Sequence, residues 1–284
     1  MKIWHQSFTD LTALPGYRAM LAEHAARVCS AGTQVVLHGV RPGTYPKGMA
    51  PGDISEYAWA RHLIDTQIVD NIVQAEREGY DAVAVSCFAD PGLELARSLV
   101  DIPVVSSCET ALLVASTVGR RFGLLAHDKG MARILEDLVA DYGFESRVGA
   151  VAALDPPLNE IDIDEAFKGS RAFTERMASE CRALIARGVD VIIPAEGALN
   201  IALVREQLQV VDGVPVLDSY GALLGMAELL VRMRQTSGLS TGRNGRYARP
   251  PAALVQHLSS VTGSVLEDAA RASTHRRDQP KETT

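Results

Sequence analysis

Several hallmarks of common protein classes are missing from this sequence of 284 residues. No apolar run comes near the roughly 20 residues that a membrane helix needs. Lys and Arg nowhere form a dense run, and the formal net charge of −7 disfavours nucleic acid or an anionic membrane as a partner. Residues 1–6 lack the apolar core of a signal peptide. We therefore expect a cytoplasmic protein that binds a small molecule, and neither nucleic acid nor a membrane.

Cysteine is scarce, and its spacing excludes two further classes. The four cysteines form no C-x-x-C pair, and no His/Cys cluster has the spacing of a metal site. In a reducing cytosol we expect free thiols and no bound metal. Cys29 and Cys181 lie in helical patterns and Cys108 follows a strand, so these three are predicted to pack in the core. Cys87 differs, because it lies where a strand ends and a turn begins.

Short apolar strands alternate with amphipathic helices along most of the chain. This alternation predicts an α/β fold with a mostly parallel sheet covered by helices, in which ligands bind beyond the carboxyl ends of the strands. Two long helices are predicted, over residues 55–78 and 165–187. The loop 40–53, rich in Gly and Pro, is predicted to cover the site, and 153–164 to be a connecting loop.

Two segments resemble one unit written twice. Residues 79–87 and 188–196 each run Gly-x-Asp into a short apolar strand, and each ends on a small residue followed by a reactive one. A helical segment and another strand follow each copy, the second of these strands over 214–219. Duplicated units of this kind pack about a pseudo-twofold axis. The duplication therefore predicts that the thiol of Cys87 faces the carboxyl group of Glu196 across one cleft.

The same pattern divides the chain into two lobes and an extension. We expect one lobe from residues 1–105 and 215–235, and a second lobe from 106–214. The composition changes after residue 235, so 236–284 is predicted to be a C-terminal extension that is partly disordered. A helix is predicted over 253–272, packing on the body or on a second subunit, which leaves a homo-oligomer open.

The residues around Cys87 indicate a reactive thiol. Backbone N–H groups at the start of a helix lower the pKa of a cysteine, and here Asp90 is a candidate N-cap with Pro91 at the first helical position. The alternative is a capped turn that contains a buried cysteine. Glu196 likewise has two interpretations: a general base whose pKa is raised by desolvation, or a first-turn glutamate that stabilises the helix dipole.

Other polar residues follow the predicted strands. Their side chains are predicted to contact a substrate carboxylate or ring carbonyl, although serines also cap helices and a single histidine often has a structural role. Phe88 and Gly197, which flank the reactive pair, complete the set. The predicted substrate-binding residues are Ser7, Thr9, Ser86, Phe88, Ser107, His127 and Gly197.

The segment Ser86–Leu93 resembles the first cysteine motif of hydantoin racemases in the aspartate/glutamate/hydantoin racemase superfamily, and the resemblance extends over roughly residues 1–235. It implies two pseudo-symmetric Rossmann-like lobes with the active site in the cleft between them, and no cofactor. Members with a cysteine pair use two opposed thiols to move a proton at a carbon next to a carbonyl. Cys87 corresponds to the first thiol, whereas Glu196 stands in place of the second. The turn Gln6-Ser7-Phe8 also departs from the Asn-Pro-Asn-like turn of the family.

The mixed pair changes the expected reaction. Thiol and carboxyl reference pKa values differ by about 4 units, so a Cys/Glu pair suits unsymmetrical chemistry. We expect first a hydrolysis or desulfhydration of a hydantoin-like ring that carries an acid side chain, similar to thiohydantoin desulfhydrases. Cys87 would be the nucleophile and Glu196 would activate water. The alternatives are a racemase that uses the pair as opposed acid and base, and a non-catalytic protein that binds a small acid.

Overall fold

The computed structural model describes residues 1–54, 56–166 and 170–262. Four parallel strands form the first sheet, in the order β2-β1-β3-β4. Their bounds are β1 Lys2–Ser7, β2 Gln34–His38, β3 Ala82–Ser86 and β4 Val104–Ser106. The α/β class with parallel sheets is thereby confirmed.

The second sheet repeats the strand order of the first. Its parallel strands are β5 Phe122–Ala126, β6 Val148–Ala153 and β7 Val191–Pro194, in the order β6-β5-β7. Val216 forms a single parallel bridge to Ile192, at the place that β4 takes in the first sheet. The predicted strand 214–219 is wrong in its extent. β8 Val210–Val211 and β9 Val214–Pro215 instead form a short antiparallel hairpin, because Asp212 and Gly213 adopt positive φ angles and turn the chain back.

Helices cover both sheets. Their bounds are α1 Pro15–Val28, α2 Ala58–Arg77, α3 Leu93–Leu99, α4 Ser107–Val118, α5 Lys129–Asp141, α6 Glu160–Ala166, α7 Arg171–Ile185, α8 Gly197–Arg205, α9 Ser219–Ser237 and α10 Ala252–Thr262. A 3₁₀ turn spans Pro51–Ile54. In the described part of the chain, none of these helices has the length and apolarity that crossing a membrane requires.

The two sheets share one hydrophobic core. Side chains alternate along each strand, so Ile3 and Ala84 of the first sheet, with Leu125 and Ile192 of the second, face a common interior with α1, α8 and α9. The opposite faces pack separately, the first sheet on α2 and α3 and the second on α4 and α5. The carboxyl ends of β1, β3, β5 and β7 therefore lead toward one region between the sheets. The lobe boundaries within this shared core stay a prediction.

One loop prediction and three helix predictions need correction or fall partly outside the described residues. The connecting loop predicted over 153–164 is wrong, because Asn159 accepts hydrogen bonds from two backbone N–H groups and starts α6. Helix α7 starts at Arg171 rather than at 165, capped by Ser170. The helix predicted over 55–78 begins only at Ala58, while Ser55 itself lies outside the described residues. Residues 263–284 also lie outside them, and with them the rest of the helix predicted over 253–272 and the predicted disordered tail.

Candidate active site

A small cavity lies where the strand ends of the two sheets meet, with a volume of about 40 Å³. A water molecule needs roughly 10–15 Å³ of such volume, so the cavity has room for about three waters. The predicted residues on this wall are Thr9, Ser86, Cys87, Phe88, His127, Glu196 and Gly197.

Two predicted residues do not lie on the wall. The Ser7 hydroxyl accepts a hydrogen bond from the backbone N–H of Thr9 at 3.1 Å, so it stabilises the turn after β1. The Ser107 hydroxyl donates to the carbonyl of Val85 at 3.3 Å and ties the start of α4 to β3. Both side chains are buried in the protein interior and are engaged locally. The predicted substrate contacts of Ser7 and Ser107 have no geometric support.

Cys87 is held as a partly buried thiol. Burial raises its pKa above the ordinary range, and the carboxyl groups of Asp90, Asp65 and Glu160 add to this, while the backbone N–H of Ala89 acts in the opposite direction. The expected activation by a helix start is absent here, because α3 begins only at Leu93.

Asp90 does not cap the helix that follows it, contrary to prediction. Gly92, in the left-handed region at φ 64°, precedes α3 instead. The Asp90 carboxyl group accepts hydrogen bonds from the backbone N–H groups of Cys108 and Glu109 at 2.9 Å, and from the hydroxyls of Ser106 and Tyr142. It therefore caps α4 and fixes the turn that carries Cys87.

Glu196 is both on the cavity wall and the N-cap of α8. Its carboxyl oxygens accept hydrogen bonds from the backbone N–H groups of Ala198 at 2.9 Å and Leu199 at 2.5 Å. Burial raises its pKa, whereas these hydrogen bonds lower it. The interpretation of Glu196 as a glutamate that stabilises the helix start therefore accounts for its contact with α8. A carboxylate has further lone pairs, so capping leaves acceptor capacity for a ligand.

Glu160, which the sequence did not single out, is a second buried carboxyl group in the cavity. Burial and then the charge of Glu196 raise its pKa, while His127 lowers it. Its Oε2 accepts a hydrogen bond from the backbone N–H of Gly52 at 3.1 Å. Two carboxyl groups that influence each other in this way titrate as a pair rather than separately.

The Gly/Pro-rich loop covers the cavity, as its composition predicts. Pro51 and Gly52 form part of the wall, and Gly52 fits so closely that an added Cβ would lie 2.8 Å from Nε2 of His127. The loop reaches the second sheet region through Gly52–Glu160, and through Asp53, whose Oδ1 accepts from Asn159 at 3.4 Å. We call residues 40–54 the lid, since Pro51 and Gly52 of this segment lie on the cavity wall.

His127 has no hydrogen-bond partner for either ring nitrogen in the described part of the structure, although both nitrogens are buried. Its Nε2 lies 3.5 Å from Oδ2 of Asp128, which is too long for a hydrogen bond. Unpaired buried polar atoms are rare in native proteins, so the ring is available to a ligand in the cavity.

Further wall residues come from helices whose contribution the sequence pattern does not reveal. Tyr17 of α1 lies against the turn after β7, since a Cβ added to Gly197 would be 2.6 Å from its hydroxyl oxygen and 3.8 Å from the Ser86 carbonyl oxygen. Burial, followed by the charge of Glu196, raises the pKa of Tyr17, and Cys87 contributes as well. Arg61 of α2 and Met131 of α5 also line the wall. These residues belong to amphipathic helices, and only the tertiary fold points them inward.

The cavity thus combines a protonated thiol, two coupled carboxyl groups, an imidazole and a guanidinium. This set can donate a proton to a ligand on one side and accept one on another. Among the described residues, no group of three or more His, Cys, Asp or Glu side chains is arranged to hold a metal ion.

Comparison with known proteins identifies the relatives of this chain. A family profile described as Asp/Glu/Hydantoin racemase matches residues 16–227. The hydantoin racemase of Rhizobium meliloti is 29% identical over 252 residues, covering 86% of this chain and 91% of that protein. The hydantoin racemase of Pseudomonas sp. (strain NS671) is 31% identical over 222 residues, covering 77% and 83%. The structure of allantoin racemase from Klebsiella pneumoniae superposes with a TM-score of 0.72 at 25% identity, covering 88% and 94%.

These relatives bear on the alternatives that the sequence left open. They favour the racemase interpretation and give no support to hydrolysis or desulfhydration, which the sequence analysis placed first. The non-catalytic alternative also loses its basis, because the matching family consists of enzymes. The chain belongs to the Asp/Glu/hydantoin racemase family.

Proposed function

We propose that this protein racemises a hydantoin-like five-membered ring by removing and returning the proton on the ring carbon next to a carbonyl. Cys87 and Glu196 would act as acid and base on opposite faces of the ring. One observation carries the proposal: the two side chains follow corresponding strands, β3 and β7, and line one cavity. The substrate class is drawn from relatives that act on hydantoin and allantoin.

The protonation states support proton transfer over nucleophilic attack. A cysteine nucleophile must be a thiolate, yet burial and the nearby carboxyl groups raise the pKa of Cys87. Glu196 is the stronger acid of the two, since two backbone N–H groups stabilise its anion. In the resting enzyme the thiol therefore holds the proton, and the carboxylate is free to take one.

A full racemisation cycle exchanges these states. In one direction, Glu196 takes the proton from the ring carbon and the Cys87 thiol donates its proton to the opposite face. The enzyme then carries a thiolate and a protonated Glu196, which is the form that the reverse direction needs. Because the two forms differ in free energy, the two enantiomers should differ in kcat and in KM, although kcat/KM is equal in both directions for a racemisation.

Other groups on the wall would stabilise the enolate that forms between the two transfers. Thr9, Ser86 and Tyr17 line the cavity and carry hydroxyl groups, and the imidazole of His127 has no hydrogen-bond partner among the described residues. A closed lid would exclude water, which strengthens these interactions. The lid would move to admit the ring with its substituent, because Pro51 and Gly52 lie on the cavity wall.

The test uses one pure enantiomer of a 5-substituted hydantoin. The optical rotation should decay to zero while mass and NMR spectra show an unchanged composition. A sample without enzyme at the same pH corrects for spontaneous racemisation. A ring-opened product, or sulfide released from the 2-thio analogue without loss of optical rotation, would contradict the proposal.

A further inference from the structure

Arg61 is a cation on the cavity wall that lacks a full set of partners. It lies in the first turn of α2, directly after the lid. Its Nε is buried and has no hydrogen-bond partner in the described part of the chain. Buried donors in native proteins almost always have an acceptor, so this nitrogen indicates a position where a ligand supplies one.

The described carboxyl groups in the cavity form no ion pair with Arg61. Both oxygens of Glu196 contact backbone N–H groups of α8 instead, and Oε2 of Glu160 accepts a hydrogen bond from Gly52. Burial raises the pKa of Asp65, which lies one turn further along α2, to about 6. The charge of Arg61 lowers this pKa but does not outweigh burial. No described carboxylate lies within ion-pair distance of Arg61.

The start of α2 adds to the positive potential. Its N-cap, Tyr57, has no capping side chain, and the first turn holds no acidic residue. The unsatisfied N–H groups of a helix start carry partial positive charge, so a cation in the first turn is disfavoured unless an anion is close. Glu56 is directed elsewhere, since its Oε1 lies 3.4 Å from the Arg133 side chain at the surface.

We propose that Arg61 binds a carboxylate carried on the side arm of the ring substrate, so that the preferred substrates are hydantoin-like rings with an acidic substituent. This rests on the proposed function. A guanidinium matches a carboxylate with two parallel hydrogen bonds, and Nε is one of the donors that take part in such a fork. Asp65 lies near both Arg61 and Cys87, since it interacts with the charge of Arg61 and raises the pKa of the Cys87 thiol. The proposed carboxylate site therefore adjoins the reactive pair.

The experiment compares two substrates that differ only in charge: hydantoin-5-acetate and the matching hydantoin-5-acetamide. The wild-type enzyme should favour the carboxylate by about tenfold or more in kcat/KM. In Arg61→Gln this preference should collapse toward one, and in Arg61→Lys it should be intermediate, since lysine keeps the charge but not the fork. Arg182→Gln, which removes an exposed arginine paired with Asp212, is the matched control and should keep the wild-type preference.

Two outcomes of the rate comparison would overturn the proposal: a wild-type enzyme without preference for the carboxylate, or an Arg61→Gln variant that loses activity on both substrates in equal proportion. The second outcome would mean that Arg61 acts on the ring itself. Calorimetric titration of both compounds separates this proposal from the proposed function. If the protein racemises neither compound but binds the acetate at least tenfold more tightly, and Arg61→Gln removes that difference, Arg61 recognises the carboxylate although the reaction is another. If the two compounds bind equally, the assignment of Arg61 is wrong.

Discussion

The turn after β3 and the turn after β7 take corresponding places in two sheets of the same strand order, but they hold their reactive side chains differently. After β7 the helix α8 starts at once, and Glu196 caps it with both carboxyl oxygens. After β3 residues 87–92 intervene before α3, Cys87 caps nothing, and Asp90 reaches across to cap α4.

This difference changes the acid strength of the two groups in unlike ways. Burial raises the pKa of both, but backbone N–H groups at the start of α8 act against it at Glu196, whereas Asp90 adds to it at Cys87. We propose that the duplicated scaffold presents these two unlike groups to one reaction, as donor and acceptor. The comparison predicts what happens when either turn is altered.

Removing the thiol should have the largest effect. Cys87→Ala takes away the proton donor on one face, and no other described side chain of that turn can replace it. We expect kcat to fall about 10³- to 10⁴-fold in both directions, measured by polarimetry. Cys29→Ser is the matched control, since Cys29 lies away from the cavity, and should stay near wild-type activity. A Cys87→Ala variant that keeps more than a tenth of the activity would contradict the role of the thiol.

Altering the carboxyl group should cost less, because Glu160 lies in the same cavity and can take part of its role. Glu196→Gln should lower kcat about 10²- to 10³-fold, while its side-chain oxygen still caps α8. Glu196→Cys makes the two turns chemically alike. It should be more active than Glu196→Gln but less stable by about 1 kcal/mol, as a thiol is a poor cap.

Thermal unfolding and polarimetry on the two Glu196 variants provide the check. If Glu196→Gln were as active as the wild type, the carboxyl group would be a cap and nothing more.

The contact between the lobes at Gly197 should matter for stability. Gly197→Ala places a Cβ 2.6 Å from the Tyr17 hydroxyl and should lower the free energy of unfolding by about 1–3 kcal/mol. Gly225→Ala, at a helical position with nothing within 4 Å, is the control and should be neutral or stabilising by up to about 1 kcal/mol.

Adding Tyr17→Phe should relieve part of the Gly197→Ala defect, with a coupling of about 0.5 kcal/mol or more in denaturant unfolding. Strict additivity of the two changes would mean that the hydroxyl and the turn do not touch.

The interaction between Glu160 and Glu196 should affect the pH profile of kcat/KM. This is the smallest of the effects predicted here. Burial raises the pKa of Glu196, so the acid limb of kcat/KM should lie above the ordinary range of glutamate. The charge of Glu196 raises the pKa of Glu160, and an interaction between two charged groups is reciprocal, so Glu160→Gln should favour the Glu196 carboxylate and move the limb to lower pH. Glu56→Gln, which alters an exposed carboxyl group beside Arg133, should leave the limb in place. A limb that moves to higher pH in Glu160→Gln would show that the groups are not coupled as described.

The sequence predicted the repeating frame better than the contents of the cavity. The strands predicted within 79–87 and 188–196 are present as β3 and β7, because a buried apolar strand after a Gly-x-Asp turn leaves a clear pattern. The sequence does not single out Glu160, because the short helix α6 directly follows a Pro-rich loop and begins inside the connecting loop predicted over 153–164. Arg61 and Tyr17 lie in ordinary amphipathic helices, and their position on the wall depends on contacts between residues far apart in the chain.

The most direct test of the central claim is solvent exchange by the two half-sites in deuterated water. Cys87→Ala keeps only the carboxyl side, and the double variant Glu160→Gln/Glu196→Gln keeps only the thiol side. Each should exchange the ring-carbon proton of one enantiomer with retained configuration, and the two variants should act on opposite enantiomers, as followed by NMR on resolved hydantoins. Exchange of the same enantiomer by both variants would place the two groups on one face of the ring and contradict the account.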